Sequence, residues 1–205
     1  VSSRRSRPDR RRSPSPSRPA PGPAPTAACS TASPRSSRSS SPTWATFHYR
    51  DIARADPEPF LAAFDEALDQ PAPARLYRST PLVYTWDDHD VGPNDTNGES
   101  PTIAAARAAY EAVVPHYPLL EESLGQSFTV GRVRFLLTDA RSGRSPQGDP
   151  DGPDKSMLGI EQREWLLGEL RAAASDPDVA VVIWLQPVPW IAPPEAGADH
   201  WGGYA

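Results

Sequence analysis

The sequence has almost no cysteine: Cys29 is the only one in 205 residues. A disulfide within the chain is therefore excluded, and cysteine usage leaves the redox compartment open. No apolar run reaches the roughly 18–20 residues that a membrane span needs. The arginines near the start are followed by no apolar stretch, so the N-terminus does not read as a signal peptide. Nothing here sets a compartment. The larger part of the chain also lacks a broad basic patch. Residues 43–205 hold 12 Lys+Arg against 25 Asp+Glu, a balance of −13, whereas residues 1–42 hold nine Arg and one Asp, a balance of +8. The whole-chain charge of −5 thus joins a basic tail to an acidic body. An anionic ligand of that body would rely on metal and a few arginines rather than on a basic surface.

Ser, Pro, Arg and Ala make up nearly all of residues 1–46, with neither helix nor strand period. Such a segment buries too little apolar surface to offset its ordering entropy. The expectation is a disordered tail over 1–46 and one domain over 47–205. An arginine-serine tail also fits an arm that binds RNA or acidic partners. No aromatic residue precedes Trp44, which weakens the single-strand-binding version of that reading.

The body alternates helix and strand signals. Asp56-Pro57 opens a helix over 57–69 with Phe60, Phe64, Ala67 and Leu68 on one face, ended by Pro71 and Pro73. Residues 81–86 read as a short strand. Ser100-Pro101 starts a helix with Ile103, Ala106, Tyr110 and Val113 or Val114 inward, stopping at Pro115. Residues 128–138 read as a hairpin with Gly131 at its turn, delivering Asp139 and Arg141. Residues 160–174 form an amphipathic helix carrying Trp165, Leu166, Leu170 and Ala173. Val179–Leu185 is nearly continuously apolar, as in a strand covered on both faces. The alternation predicts a layered α/β or α+β domain. In such sheets the loops after strand ends carry the site.

The stretch around which this chemistry gathers is Trp86-Asp87-Asp88-His89-Asp90-Val91-Gly92-Pro93-Asn94-Asp95. An apolar run ends in four consecutive ionisable residues and then a turn. Asp87, Asp88, Asp90, Asn94 and Asp95 are hard oxygen donors, suited to Mg²⁺, Ca²⁺, Mn²⁺ or oxidised iron rather than to a thiolate-loving metal. His89, set between carboxylates, suits general acid or base work near neutral pH. A solvated acidic turn with a capping aspartate is the plain structural reading of the same residues.

The motif Trp86-Asp87-Asp88-His89-Asp90 with Gly92-Pro93-Asn94-Asp95 resembles the PhoD-like branch of the metallophosphoesterases. The likeness continues in order through Gly131–Phe135, Asp139-Ala140-Arg141-Ser142, Lys155–Gly159, Gln162, Trp165-Leu166, Pro187–Trp190 and Trp201–Tyr204. It covers about residues 47–205. The resemblance implies a β-sandwich flanked by helices, with metal ions at strand ends, hydrolysing phosphomonoesters or phosphodiesters. It places Asp88 as a metal ligand and His89 as the catalytic histidine that helps protonate the leaving oxygen. It gives Asp90 the part of the carboxylate that orients His89. Asp87 and Asn94 line the metal site, and Arg141 contacts substrate. Ca, Fe, Mn and Mg all remain open as the metal, and a phosphate ester is the expected partner.

The likeness departs at both ends. The Gly-Asp expected before His48-Tyr49 is replaced by Ala45-Thr46, and a late histidine-containing metal motif is not found. The expectation is a truncated domain lacking two to four metal ligands. Residues 42–46 must be encoded CCN ACN TGG GCN ACN, which two bases later reads NAC NTG GGC NAC and can spell His-Leu-Gly-Asp. Residues 1–46 are therefore expected to be an out-of-frame translation of a first strand. Two alternatives to the hydrolase stand beside it: an inactive metal-binding remnant, and a nucleic-acid-binding arm on a non-catalytic domain.

Overall fold

A computed structural model describes residues 46–195 and 197–204. The expectations for residues 1–45 lie outside the described residues.

Helix α1 spans Pro57–Asp69, where the Asp56 side chain accepts from Glu58 N and Pro57 takes the first position. Phe60, Ala63 and Phe64 form its buried face. Pro71 ends α1 but does not stop helix formation. It opens α2, Pro71–Tyr77, because a first-turn proline lacks only an N–H that would have no partner there. The four-residue α3 is Asp88–Val91. Helix α4, Ile103–Val113, buries Ala105, Ala106, Ala109 and Tyr110. These helices share one apolar core with Tyr84, Trp86, Val91 and Leu124, and Phe47 packs against it.

The strands form one sheet in the order β1-β2-β3. β1 (Gln126–Val130) and β2 (Val133–Leu137) are an antiparallel hairpin. Gly131 takes φ 59° at its turn, a left-handed backbone that a side chain would strain. β2 continues through α5, Ile160–Ser175, into β3, Val181–Leu185, which runs parallel to β2. A parallel neighbour requires a crossover of this kind. Leu136, Ala140, Met157, Leu158, Leu166 and Val188 make a second core under this unit.

Helices around a small mixed sheet give the α/β class expected from the sequence. Two elements differ. Residues 81–87 belong to no ladder. Side chains stitch them instead: Tyr110 Oη donates to Tyr84 O at 2.6 Å, and Thr85 Oγ1 donates to Thr138 O at 3.2 Å. β3 is not covered on both faces. Val181 and Val182, which point to opposite sides, are 49% and 37% exposed. Among the described residues β3 is an edge strand.

The turn after β2 directs the strand end toward residues 87–88. Gln162 on α5 is buried and clamps the backbone just past β2: its Oε1 accepts from Asp139 N at 2.8 Å, and its Nε2 donates to Asp139 O at 2.7 Å. The Asp139 carboxylate then accepts from Leu124 N, Arg141 N and Ser142 N. Asp139 is thereby spent on shaping the turn that aims Arg141 at residues 87–88.

Candidate active site at helix α3

The site is built on α3 and on the turn after it. All four residues of α3 are buried. Burial of three ionisable side chains in succession is tolerated only because each is hydrogen-bonded. Asp90 is the anchor. Its Oδ1 accepts from Phe47 N at 2.8 Å and His48 N at 2.9 Å; its Oδ2 accepts from Tyr84 Oη at 2.5 Å and Asp87 N at 3.2 Å. Four donors tie two chain segments, 47–48 and 84–87, to one carboxylate. Burial pushes the Asp90 carboxyl above its usual value, while the Tyr84 hydroxyl and the His48 amide work against that push. Burial likewise pushes the Tyr84 phenol well above its usual value, with the Asp90 charge adding to it.

Asp88 faces the other way. Its Oδ1 accepts from His89 N at 2.8 Å and its Oδ2 from Asp95 N at 2.9 Å. Asp95 adopts φ 60° to make that turn. Asp88, Asp95 and Asp199 each bring an oxygen within 4.8 Å of the others. The three are the group that a hard cation would meet.

Arg141 stands behind these carboxylates. It is fully buried. Its Nε donates to Asp87 Oδ1 at 2.7 Å, and its two terminal nitrogens donate to Asp199 at 2.9 and 2.8 Å in a fork. Burial alone would depress the guanidinium's pKa, but Asp199, Asp87 and Asp88 together outweigh it and raise it. The same pairing holds the Asp199 carboxyl below its usual value despite burial. Asp87 moves upward, because burial prevails over its share of a guanidinium divided among three acids.

His89 places its Nδ1 against Asp51 Oδ1. The ring stacks on Tyr49 with centroids 3.6 Å apart and planes 27° apart. Its Nε2 lies 3.8 Å from Asp88 Oδ1.

The structure thus joins some expected site residues and separates others. Asp88 and His89 share one site wall. Asp90 contributes buttressing: the carboxylate against the His89 ring is Asp51, because both Asp90 oxygens are turned toward residues 47, 48, 84 and 87. Asp87 is held in an ion pair with Arg141 rather than directed at the acidic group. Asn94 is exposed at the tip of the turn. Direct substrate contact by Arg141 does not fit this arrangement, since its side chain is 0% exposed and its nitrogens are engaged by protein oxygens. Gln186 accepts from Trp201 Nε1, and Trp190 packs edge-on against Trp184 while remaining exposed. Neither joins the acidic group. Asp51 and Asp199 are the residues that sequence reasoning missed. They lie 38 positions before His89 and 58 after Arg141, and no local pattern marks them.

Comparison with known proteins gives the same direction. A family model for PhoD-like phosphatase matches residues 54–205. Alkaline phosphatase D of Bacillus subtilis (strain 168) is 32% identical over 155 residues, covering 60% of this chain and 26% of that protein. The chain therefore spans about a quarter of the length of this curated relative. A solved structure described as "Structure of PhoD" superposes with a TM-score of 0.56 at 22% identity, over 77% of this chain and 39% of the other. That structural likeness supports the fold alone. With the family model spanning most of the chain, the sequence belongs to the PhoD-like phosphatase family.

Proposed function

We propose that this chain carries the proton-transfer wall of a metal-dependent phosphoesterase, hydrolysing phosphomonoesters or phosphodiesters. The observation that supports this most is the pairing within α3. Buried Asp88 faces the acidic group while the adjacent His89 presents Nε2 beside it, 3.8 Å from Asp88 Oδ1.

The donor set fits a hard cation in part. Asp88 uses each oxygen for one backbone amide and keeps lone pairs for a metal. Asp95 lies beside it in the acidic group, whereas the oxygens of Asp199 are committed to Arg141 and Arg144. Asp88 and Asp95 are the residues of this chain that would hold the ion, drawn from Ca²⁺, Mn²⁺, Mg²⁺ or Fe³⁺ by oxygen chemistry. Such an ion supplies charge neutralisation for the phosphoryl group and activation of a water. The chain's own residues do the rest. His89 gives a proton from Nε2 to the leaving oxygen as its bond to phosphorus breaks. Asp90 anchors α3, on which His89 stands. Arg141 holds Asp87 and Asp199 in register and acts on substrate only through them.

The test is release of phosphate from an aryl phosphate by the purified chain, with each of the four ions supplied in turn. Stimulation by at least one ion, with a loss of about 100-fold or more in His89→Ala, is the expected result. No turnover with any ion overturns the catalytic reading for this chain.

A further inference from the structure

We infer that Tyr84 and Tyr110 are positioning residues for α3: a buried chain of hydrogen bonds, running from Gln126 on β1 through the two tyrosines to Asp90, sets where Asp88 and His89 stand. The catalytic meaning of that position rests on the proposed phosphoesterase reading, and the hydrogen-bond chain rests on geometry alone.

α3 does not place itself. It has four residues, and a helix that short is unstable alone, because its first turn fixes several dihedrals for one hydrogen bond. Its direction therefore depends on what grips Asp90. Three donors to that carboxylate are backbone amides, those of Phe47, His48 and Asp87. Tyr84 Oη, at 2.5 Å, is the one side-chain donor among the described residues. It is the grip that a side-chain substitution releases.

Tyr84 is itself held at its other end. Tyr110 Oη, on α4, donates to Tyr84 O at 2.6 Å and accepts from Gln126 Nε2 at 3.3 Å. Gln126 Oε1 in turn accepts from Tyr117 N at 3.0 Å. Tyr84, Tyr110 and Gln126 are 3%, 0% and 1% exposed, so these bonds form away from water. The rings reinforce them. Tyr84 and Tyr110 stack with centroids 5.7 Å apart and planes 26° apart. Phe47, whose amide also holds Asp90, packs on Tyr84 at 5.1 Å. A buried network of this kind has few alternative arrangements, because moving one member strands another's polar group. The site feels this through α3. Asp88 belongs to the acidic group, and His89 Nε2 lies 3.8 Å from its Oδ1. A misplacement of such groups by about 1 Å costs on the order of 100-fold in rate. Tyr84 and Tyr110 reach the site only through Asp90 and the helix it anchors.

Two variants of the full chain, Tyr84→Phe and Tyr110→Phe, each remove one hydroxyl and keep the ring. The first readout is amide hydrogen exchange. In Tyr84→Phe the amides of Phe47, His48 and Asp87 are expected to exchange about fivefold faster, while those of α1 and α5 keep their rates. Unchanged protection at all three amides overturns the inference. Equal acceleration in α1 and α5 also overturns it, because that marks a loss of overall stability. The second readout is hydrolysis of 4-nitrophenyl phosphate at saturating metal. Tyr84→Phe is expected to lower kcat about 10-fold with KM nearly unchanged. Tyr110→Phe lowers it less, and the double variant falls no further than Tyr84→Phe, since both act through one contact. A double variant that shows the product of the two losses overturns the inference, and so does an unchanged kcat in Tyr84→Phe. Val114→Ala lies in the same core, and its side chain takes no part in the hydrogen-bond chain. It is expected to keep the native kcat, and a loss there equal to that of Tyr84→Phe would reduce the tyrosines to packing. If Tyr84→Phe fails to fold, Tyr110→Phe carries both readouts. No turnover in the native chain with any ion rejects the phosphoesterase reading and leaves the exchange readout to decide the positioning, so the two fail separately.

Discussion

At the scale of single residues, the site depends on where buried charge is compensated and where it is not. Among the described residues, the His48 ring is a buried polar group without such compensation. Its side chain is buried, neither ring nitrogen has a hydrogen-bond partner, and Asp90 Oδ1 is 3.9 Å away. Burial lowers its pKa below 6.5, and the Asp90 charge only partly restores it. A histidine held neutral by the fold contributes stability that is full above pH 6.5. That contribution is lost as pH falls through the lowered folded value. The Tm of the native chain minus that of His48→Phe is therefore expected to shrink between pH 8 and pH 5. A difference independent of pH contradicts this. Asp87 to Asp90 were legible in the sequence because four ionisable residues directly after an apolar run have no place in a plain strand. Asp51 was not legible: a lone aspartate in a polar stretch looks like surface until a left-handed φ brings it to His89.

At the scale of elements, helices were read closely and pairing less so. The bounds of α1 follow from an N-cap and a proline, both local signals. The hairpin follows from Gly131, also local. Residues 81–86 have strand composition, yet composition cannot say whether a neighbour supplies ladder bonds; here Tyr110 and Thr138 supply side-chain and turn contacts instead. No local pattern in the sequence marks Gln162 as the residue that closes the backbone after β2, because that contact depends on how α5 packs. Gln162→Ala strands one N–H and one C=O in a buried place. That is expected to cost about 2–4 kcal/mol, read as a lowered midpoint in urea unfolding with an unchanged m-value. A loss under about 0.5 kcal/mol would mean that water replaces the amide there.

At the scale of the whole molecule, the described chain is two apolar cores joined through one polar seam. The helical core carries α3, and the sheet core carries the Asp139–Arg141 turn. Arg141 spans the seam, and through Asp199 it also draws in the segment after β3. Removing one partner of a buried ion network costs more than the network contributes net. Arg141→Met is expected to destabilise the chain by about 3–5 kcal/mol. Amides of residues 197–204 should lose hydrogen-exchange protection at the same time. Protection retained over 197–204 would show that Asp199 does not hold that segment. The exposed start of β3 and the exposed Trp190 and Ile191 lie on the same sheet unit, so the seam rather than that face is where the fold and its chemistry coincide. Among the described residues, no helix is long and apolar enough to cross a membrane.

The central claim is that His89 protonates a leaving oxygen at a site shared with Asp88. The most direct measurement is the ratio of kcat between the native chain and His89→Gln across aryl phosphates of rising leaving-group pKa, at saturating metal. A poor leaving group needs the proton more. The expected result is a ratio that grows steadily from 4-nitrophenyl phosphate to phenyl phosphate. A ratio that stays flat across the series would contradict the assignment of His89 as the proton donor.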